Sequence, residues 1–161
     1  MIKLMLVIRS LEIGGAERQL VELAKGIDKS RFEVTVATFY PQGEFSQELK
    51  EKGIQLFSMH KKGRWDIIIP LLRLIRKIHS TKAPIIYGFL DVGNLFALIA
   101  GKIIGAKIIF GLRSSGLDFS QYDWTARFLH RLAAFGGRFA DKIIANSFSG
   151  RRSYRNWVSL K

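Results

Sequence analysis

The segment VIRSLEIGGAERQLVELA places paired glycines between an apolar run and an amphipathic one. Gly14 and Gly15 lack a Cβ, so backbone N–H groups at a helix start can approach an anion closely, and the helix dipole adds positive potential there. A phosphate-bearing ligand fits that chemistry; a plain tight turn fits the same two residues. The spacing matches neither GxGxxG nor GxxxxGK[ST], which argues against a dinucleotide fingerprint or a P-loop. A second candidate is GLRSSGLDFSQYDW. Arg113 can bind a carboxylate or phosphate through two parallel N–H bonds, and Ser114 and Ser115 can bind sugar hydroxyls or cap the next turn. Asp118 and Asp123 suit turn and N-cap positions as well as acid/base work. In YGFLDVGN, Tyr87, Asp91 and Asn94 can contact a hydroxylated ligand, although Asn94 also suits a helix cap. In IIANSFSGRR, Asn146 and Ser147 close a strand and Ser149 is placed to cap a helix.

The chemistry that is missing narrows the field. The 161 residues contain no Cys, which removes disulfides, thiolate zinc, iron–sulfur ligation and cysteine nucleophiles. The three His (His60, His79 and His130) lie far apart without a carboxylate at ligand-like spacing, so no metal site is expected. His is also expected to be absent from the loops at the ligand end of the sheet, which argues against a Ser/His/Asp hydrolase.

The formal charge is +13, and it is unevenly placed. Residues 1–60 hold 8 Lys/Arg and 8 Asp/Glu, whereas residues 61–161 hold 18 and 5. Lys61, Lys62, Arg64, Arg73, Arg76 and Lys77 cluster around one helix, Arg127, Arg131 and Arg138 on another, and Arg151, Arg152, Arg155 and Lys161 near the end. Such a distribution favours an anionic partner surface over merely solvated helix faces. Nucleic acid is not expected as a partner, because no recognition motif or aromatic platform in a basic groove accompanies the charge. Lys102 and Lys107 interrupt the most apolar stretch, so no run approaches the roughly 20 residues of a membrane-spanning helix. The N-terminal MIKLMLVIRS has no small-residue cleavage site after it and reads as a buried strand.

The elements that must hold these residues alternate between two periodicities. Strands are expected at Ile2–Ile8, Phe32–Phe39, Ile54–Met59, Pro84–Phe89, Lys107–Leu112 and Asp141–Ala145. Helices are expected at Ala16–Ile27, Glu44–Lys52, Asp66–Ile78, Asn94–Ile104, Tyr122–Phe139 and Ser149–Trp157, with Gly53 and Gly105 as stops and Pro70 in a first turn. Six strands alternating with helices, each strand continuously apolar, predict an α/β fold: a doubly wound, mostly parallel Rossmann-like sheet with helices on both faces. With 48% hydrophobic residues and no Pro-, Gly- or Ser-rich linker, residues 1–161 read as one domain. Ligands of such sheets bind beyond the carboxyl ends of the strands, where every candidate above falls except Tyr87, near the end of the fourth strand.

Four segments carry a resemblance: GGAERQLVELAKGI, FEVTVATFYPQGEFSQELKEKGI, GLRSSGLDFSQYDW and ADKIIANSFSGRR. In order and spacing, from about Ile2 to Arg155, they resemble the N-terminal half of the retaining GT-B glycosyltransferases, the group-one, family 4-like enzymes of lipopolysaccharide, capsule and exopolysaccharide synthesis. The resemblance implies two Rossmann-like domains around a cleft. The N-terminal one recognises a glycan or lipid-linked acceptor, and the C-terminal one binds a nucleotide-sugar donor. Transfer retains the anomeric configuration and uses neither a metal nor a cofactor. It also implies that Gly14 and Gly15 face the donor diphosphate, and that Arg113, Ser114, Ser115, Asn146 and Ser147 line the cleft. The family continues into a donor domain whose paired glutamates and basic residues do not occur before Lys161. The expectation is therefore an acceptor-binding half that needs a C-terminal domain or partner subunit, is inactive alone, and works in the cytoplasm, peripherally on the inner face of an anionic membrane. A non-catalytic split subunit, binding a partner protein or the membrane surface, is the alternative.

Overall fold

The structure, a computed structural model, describes residues 1–63, 65–113 and 124–158. Among them six strands alternate with six α-helices: β1 (Ile2–Ile8), α1 (Gly15–Gly26), β2 (Phe32–Thr38), α2 (Phe45–Glu51), β3 (Gln55–Ser58), α3 (Ile68–Thr81), β4 (Ile85–Phe89), α4 (Leu90–Ile104), β5 (Lys107–Leu112), α5 (Trp124–Gly136), β6 (Lys142–Ala145) and α6 (Phe148–Val158). A short 3-10 turn, Gly137–Phe139, follows α5. Every strand pair is parallel, and the order is β3-β2-β1-β4-β5-β6. This is the doubly wound sheet that the alternating periodicities predict.

Its two faces hold two cores. On one, Leu4, Leu6 and Ile8 of β1 meet Leu20, Val21 and Ala24 of α1 and Phe45 and Leu49 of α2. On the other, Met5 and Val7 meet Leu74 and Ile78 of α3 and Phe96, Ala97 and Ala100 of α4. β1 is buried on both sides because successive side chains point to opposite faces, which is why IKLMLVI is apolar without alternation.

Gly53 (φ 69) and Gly105 (φ 77) adopt the left-handed conformation where the helices were expected to stop. Three helix starts differ from the sequence expectation. α3 begins at Ile68 rather than Asp66, whose carboxylate accepts the Lys62 N–H at 2.9 Å within the preceding loop. α4 begins at Leu90 rather than Asn94, since the chain turns straight out of β4 through Leu90 at φ 60. That left-handed backbone is costly for a residue with a Cβ and places a strained position at the carboxyl end of β4. At α6 the cap is Ser147, not Ser149: its Oγ accepts the Gly150 N–H at 3.0 Å. The expected helix start at Tyr122, together with Ser114, Ser115, Asp118 and Asp123, lies outside the described residues.

Candidate functional site

The strand order reverses between β1 and β4, so a crevice opens there beyond their carboxyl ends. The loop after β1 forms one wall. Its backbone is held against the loop after β2, where the Phe45 N–H donates to the Leu11 carbonyl at 3.0 Å. A Cβ on Gly43 would lie 2.5 Å from Leu11 backbone, so only glycine allows that approach. Gly14, by contrast, is extended (φ −169, ψ 159) and precedes α1. A Cβ there would meet only the mobile carboxylate of Glu17, and one on Gly15 would meet nothing within 4 Å. Neither backbone conformation nor crowding therefore requires the glycine pair. What it leaves is an open approach to the first N–H groups of α1, with the Glu17 carboxylate folded back on one side.

Arg113, the first residue beyond β5, is the hub of the opposite wall. Its Nη2 donates to the Tyr87 hydroxyl at 2.5 Å and its Nη1 to Gln19 Oε1 at 3.2 Å. The guanidinium lies 4.9 Å from the Phe89 ring centroid. Asn146 Nδ2 donates to the same Gln19 oxygen at 3.5 Å. The structure thus gathers Tyr87, Arg113 and Asn146 from β4, β5 and β6 around Gln19 of α1. Gln19 stands one turn in from Gly15, and sequence reasoning missed it; nothing in its spacing distinguishes it from a solvated helix residue. Burial pushes the Tyr87 phenol above its ordinary pKa, while Arg113 pulls it back. At neutral pH it is therefore a hydroxyl that accepts from Arg113 and keeps a proton to donate. Arg113 Nε is buried with no hydrogen-bond partner. An orphaned charged donor of this kind costs on the order of 1–3 kcal/mol until an acceptor reaches it. Together these are donors for oxyanions and sugar oxygens.

The other candidates are placed differently. Asn94 is 1% exposed, inside α4 rather than at its cap. Its Nδ2 donates to the Gly111 carbonyl at 3.2 Å and its Oδ1 accepts the Gly111 N–H at 3.1 Å, so both amide groups tie α4 to β5 two residues before Arg113. Asp91, in the first turn of α4, is 2.9 Å from His130 Nδ1 of α5. That pair spans 39 positions and had no signal in the sequence. Ser147 caps α6, as described above. His60 corrects the expectation that no His stands in a carboxyl-end loop, for it is the second residue after β3, at φ 51. β3 is the edge strand on the far side from β5, so His60 does not join Arg113.

Part of the basic cluster around α3 is committed internally. Lys61 Nζ donates to the Gly63 carbonyl and, at 2.7 Å, to the Asp66 carbonyl, and burial lowers its pKa. Arg73 Nη1 donates to the Met59 carbonyl at 2.8 Å. Among the described residues no group of His, Cys, Asp and Glu could hold a metal ion, and no helix is long and apolar enough to cross a membrane.

The profile of Glycosyltransferase Family 4 matches residues 13–160. Among solved structures, HepE (Alr3699) of Anabaena in complex with UDP-glucose is similar at 21% identity and TM-score 0.79, over 99% of this chain and 42% of that one. A glycosyltransferase of Rickettsia africae matches at 15% identity and TM-score 0.68, over 99% and 40% of the two chains. The lipopolysaccharide outer core galactosyltransferase WaaB, in its apo form, matches at 15% and 0.66, over 98% and 42%. Among curated proteins none matches. This chain spans less than half the length of each of those three structures. The chain belongs to Glycosyltransferase Family 4, and its fold is that of the N-terminal half of a GT-B glycosyltransferase.

Proposed function

We propose that this chain is the acceptor-binding half of a transferase that moves a sugar from a nucleotide-sugar donor to a glycan or lipid-linked acceptor with retention of configuration, in cell-envelope polysaccharide synthesis. The observation that carries the reading is the donor cluster of Arg113, Tyr87, Asn146 and Gln19 at the crevice of a Family 4 fold. Open N–H groups at Gly14 and Gly15 face the same crevice, where they would stabilise the leaving diphosphate electrostatically, without acid/base work. Ser114 and Ser115 are assigned to acceptor binding by the family resemblance. No metal or cofactor is invoked. Exposed Ile13 and Phe148, at 79% and 89%, stand on the rim and suit contact with a donor-binding domain or partner subunit. On this reading the chain has no turnover by itself and works at the cytoplasmic face of an anionic membrane, where its basic second half would be attracted.

The test is NMR on the isotope-labelled chain, titrated separately with UDP and with a short prenyl phosphate. Shifts confined to the amides of Gly14, Gly15, Gln19, Arg113 and Asn146 support the reading. Shifts elsewhere, or none with either probe, refute it. Product formation from UDP-glucose or UDP-galactose by this chain alone would overturn the claim that a second domain is needed, and the anomeric proton of product from a reconstituted two-domain enzyme decides retention.

A further inference from the structure

The two helical faces of the sheet are unlike. On the α1–α2 side the surface is polar: Arg18 and Lys25 bridge Glu22 and Glu48 at 2.8–3.4 Å, and among the described residues of those two helices no large apolar side chain is exposed. On the α3–α4–α5 side, large apolar side chains face outward.

α5 is the extreme case. Its buried positions are small (Thr125, Ala133, Ala134 and Gly136), and its large residues point to solvent. Trp124, Phe128, Leu132 and Phe135 are 73%, 58%, 42% and 54% exposed, and Phe139 of the following 3-10 turn continues the line at 51%. Steps of four, four, three and four residues put them in a single stripe. Close packing explains the small inner face, since a Cβ on Gly136 would lie 2.9 Å from Leu98 of α4. Nothing among the described residues explains the outer one. A water-facing helix has no use for five large apolar residues in a row.

The charges along the stripe have one sign. From Trp124 to Ala140 there is no Asp or Glu, while Arg127, Arg131 and Arg138 are exposed. The Arg138 guanidinium lies 5.5 Å from the Phe135 ring centroid, so cation and aromatic surface are presented together. Large apolar rings interleaved with arginines and free of acids match the boundary between anionic headgroups and acyl chains.

We propose that the Trp124–Phe139 ridge docks this protein on an anionic lipid bilayer, with the rings at the headgroup–acyl boundary and Arg127, Arg131 and Arg138 on lipid phosphates. The ridge does not face the cleft. α5 leads back from the carboxyl end of β5 to the start of β6, so it runs along the flank of the sheet with Trp124 at the crevice end and Phe139 at the far end. A bilayer against it puts the crevice mouth beside the membrane. Exposed Ile68, Ile69 and Leu72 of α3, on the same side of the sheet, would widen the contact. The inference deepens the acceptor-half reading by naming the surface that brings the protein to a lipid-linked acceptor, and it rests on that reading only there.

The test is co-sedimentation of the chain with vesicles of equal parts phosphatidylglycerol and phosphatidylethanolamine, against pure phosphatidylcholine. A Trp65→Phe/Trp157→Phe background lets Trp124 fluorescence report insertion. We expect binding to the anionic vesicles, weakened by salt, with a blue shift of Trp124 and quenching by brominated lipid. Phe128→Ser and Phe135→Ser should each weaken partitioning about 5- to 10-fold, for loss of roughly half a buried ring. Each of Arg127→Gln and Arg131→Gln should weaken it about five-fold at low salt. Gln47→Ser, exposed on α2 across the sheet from the ridge, should change nothing. All these sites are exposed, and if a serine variant nevertheless unfolds, Trp124 quenching in the unaltered ridge still decides. No blue shift on any vesicle, equal binding to phosphatidylcholine, or lipid-free self-association that buries Trp124 overturns the proposal, the last pointing to a second copy. Loss of vesicle binding with the UDP and prenyl phosphate shifts intact refutes the docking surface alone; the converse result refutes the acceptor-half reading alone.

Discussion

Asn94→Ala should be the most damaging polar-to-small change in this fold, and its cost can be worked from the structure. Both amide groups of Asn94 are spent on Gly111, at 3.1 and 3.2 Å, in a place where the side chain is 1% exposed. Alanine leaves the Gly111 N–H and C=O buried without those partners, at about 1–3 kcal/mol each. Water has little room to replace the amide, because the Asn94 backbone already lies against Gly88, where a Cβ would sit 2.6 Å away. The expected loss is about 2–6 kcal/mol, a large share of the roughly 5–15 kcal/mol that holds a domain together. Urea denaturation followed by circular dichroism measures it as a fall in midpoint at unchanged m-value. Asn94→Asp supplies a sharper control. A carboxylate accepts the Gly111 N–H but faces the Gly111 carbonyl with a second oxygen, whereas the protonated acid makes both bonds. Its folded pKa is therefore raised above the unfolded value of about 3.9, so the stabilising protonated form is present below that pH and lost as pH rises through the folded pKa. An alanine variant within about 0.5 kcal/mol of the parent, the range of ordinary surface substitutions, would refute the assignment, as would an aspartate variant more stable at neutral than at acid pH.

Gly15 and Gly88 should separate function from stability. Gly15→Ala meets open space at the first position of α1 and should stabilise by about 0.4–1 kcal/mol while weakening UDP binding in the NMR titration. Gly88→Ala drives a Cβ into the Asn94 backbone and should lower the thermal midpoint sharply. Arg113→Lys keeps the charge but not the two-pronged reach to Tyr87 and Gln19, so binding of UDP or prenyl phosphate should fall at least ten-fold with the midpoint nearly unchanged; retained affinity would remove Arg113 from the site. Burial raises Tyr154, whose hydroxyl donates to the Ala134 carbonyl at 3.0 Å, to about 12. Because that folded value exceeds the unfolded one of about 10, its contribution is complete below pH 10 and should fade between about pH 10 and 12. Tyr154→Phe should lose that alkaline slope, as measured by denaturation across the range.

The element list was legible from residue types alone because periodicity and glycine placement are local. IKLMLVI and FEVTVAT read as strands buried on both sides, and Gly53 and Gly105 as left-handed stops, since each follows from a few neighbouring side chains. Parallel pairing and helices on both faces followed from the alternation itself, and the carboxyl-end rule put Arg113 and Asn146 just beyond β5 and β6, with Tyr87 inside β4. Strand order and register decided everything beyond that. Gln19 reaches Arg113 across 94 positions and Asn146 across 127 because the N-terminal end of α1 comes beside the residues that follow β5 and β6, a proximity that no spacing in the chain encodes. The same holds for Asn94, which its type suggested as a cap or ligand contact and which packing turned inward to Gly111. It holds again for α5, whose Ala and Gly positions face α4 and leave its aromatic residues outside. Hydrophobic pattern depends on the order of residues along the chain, whereas side-chain partners and exposed faces depend on which elements meet, and only the packed sheet determines that.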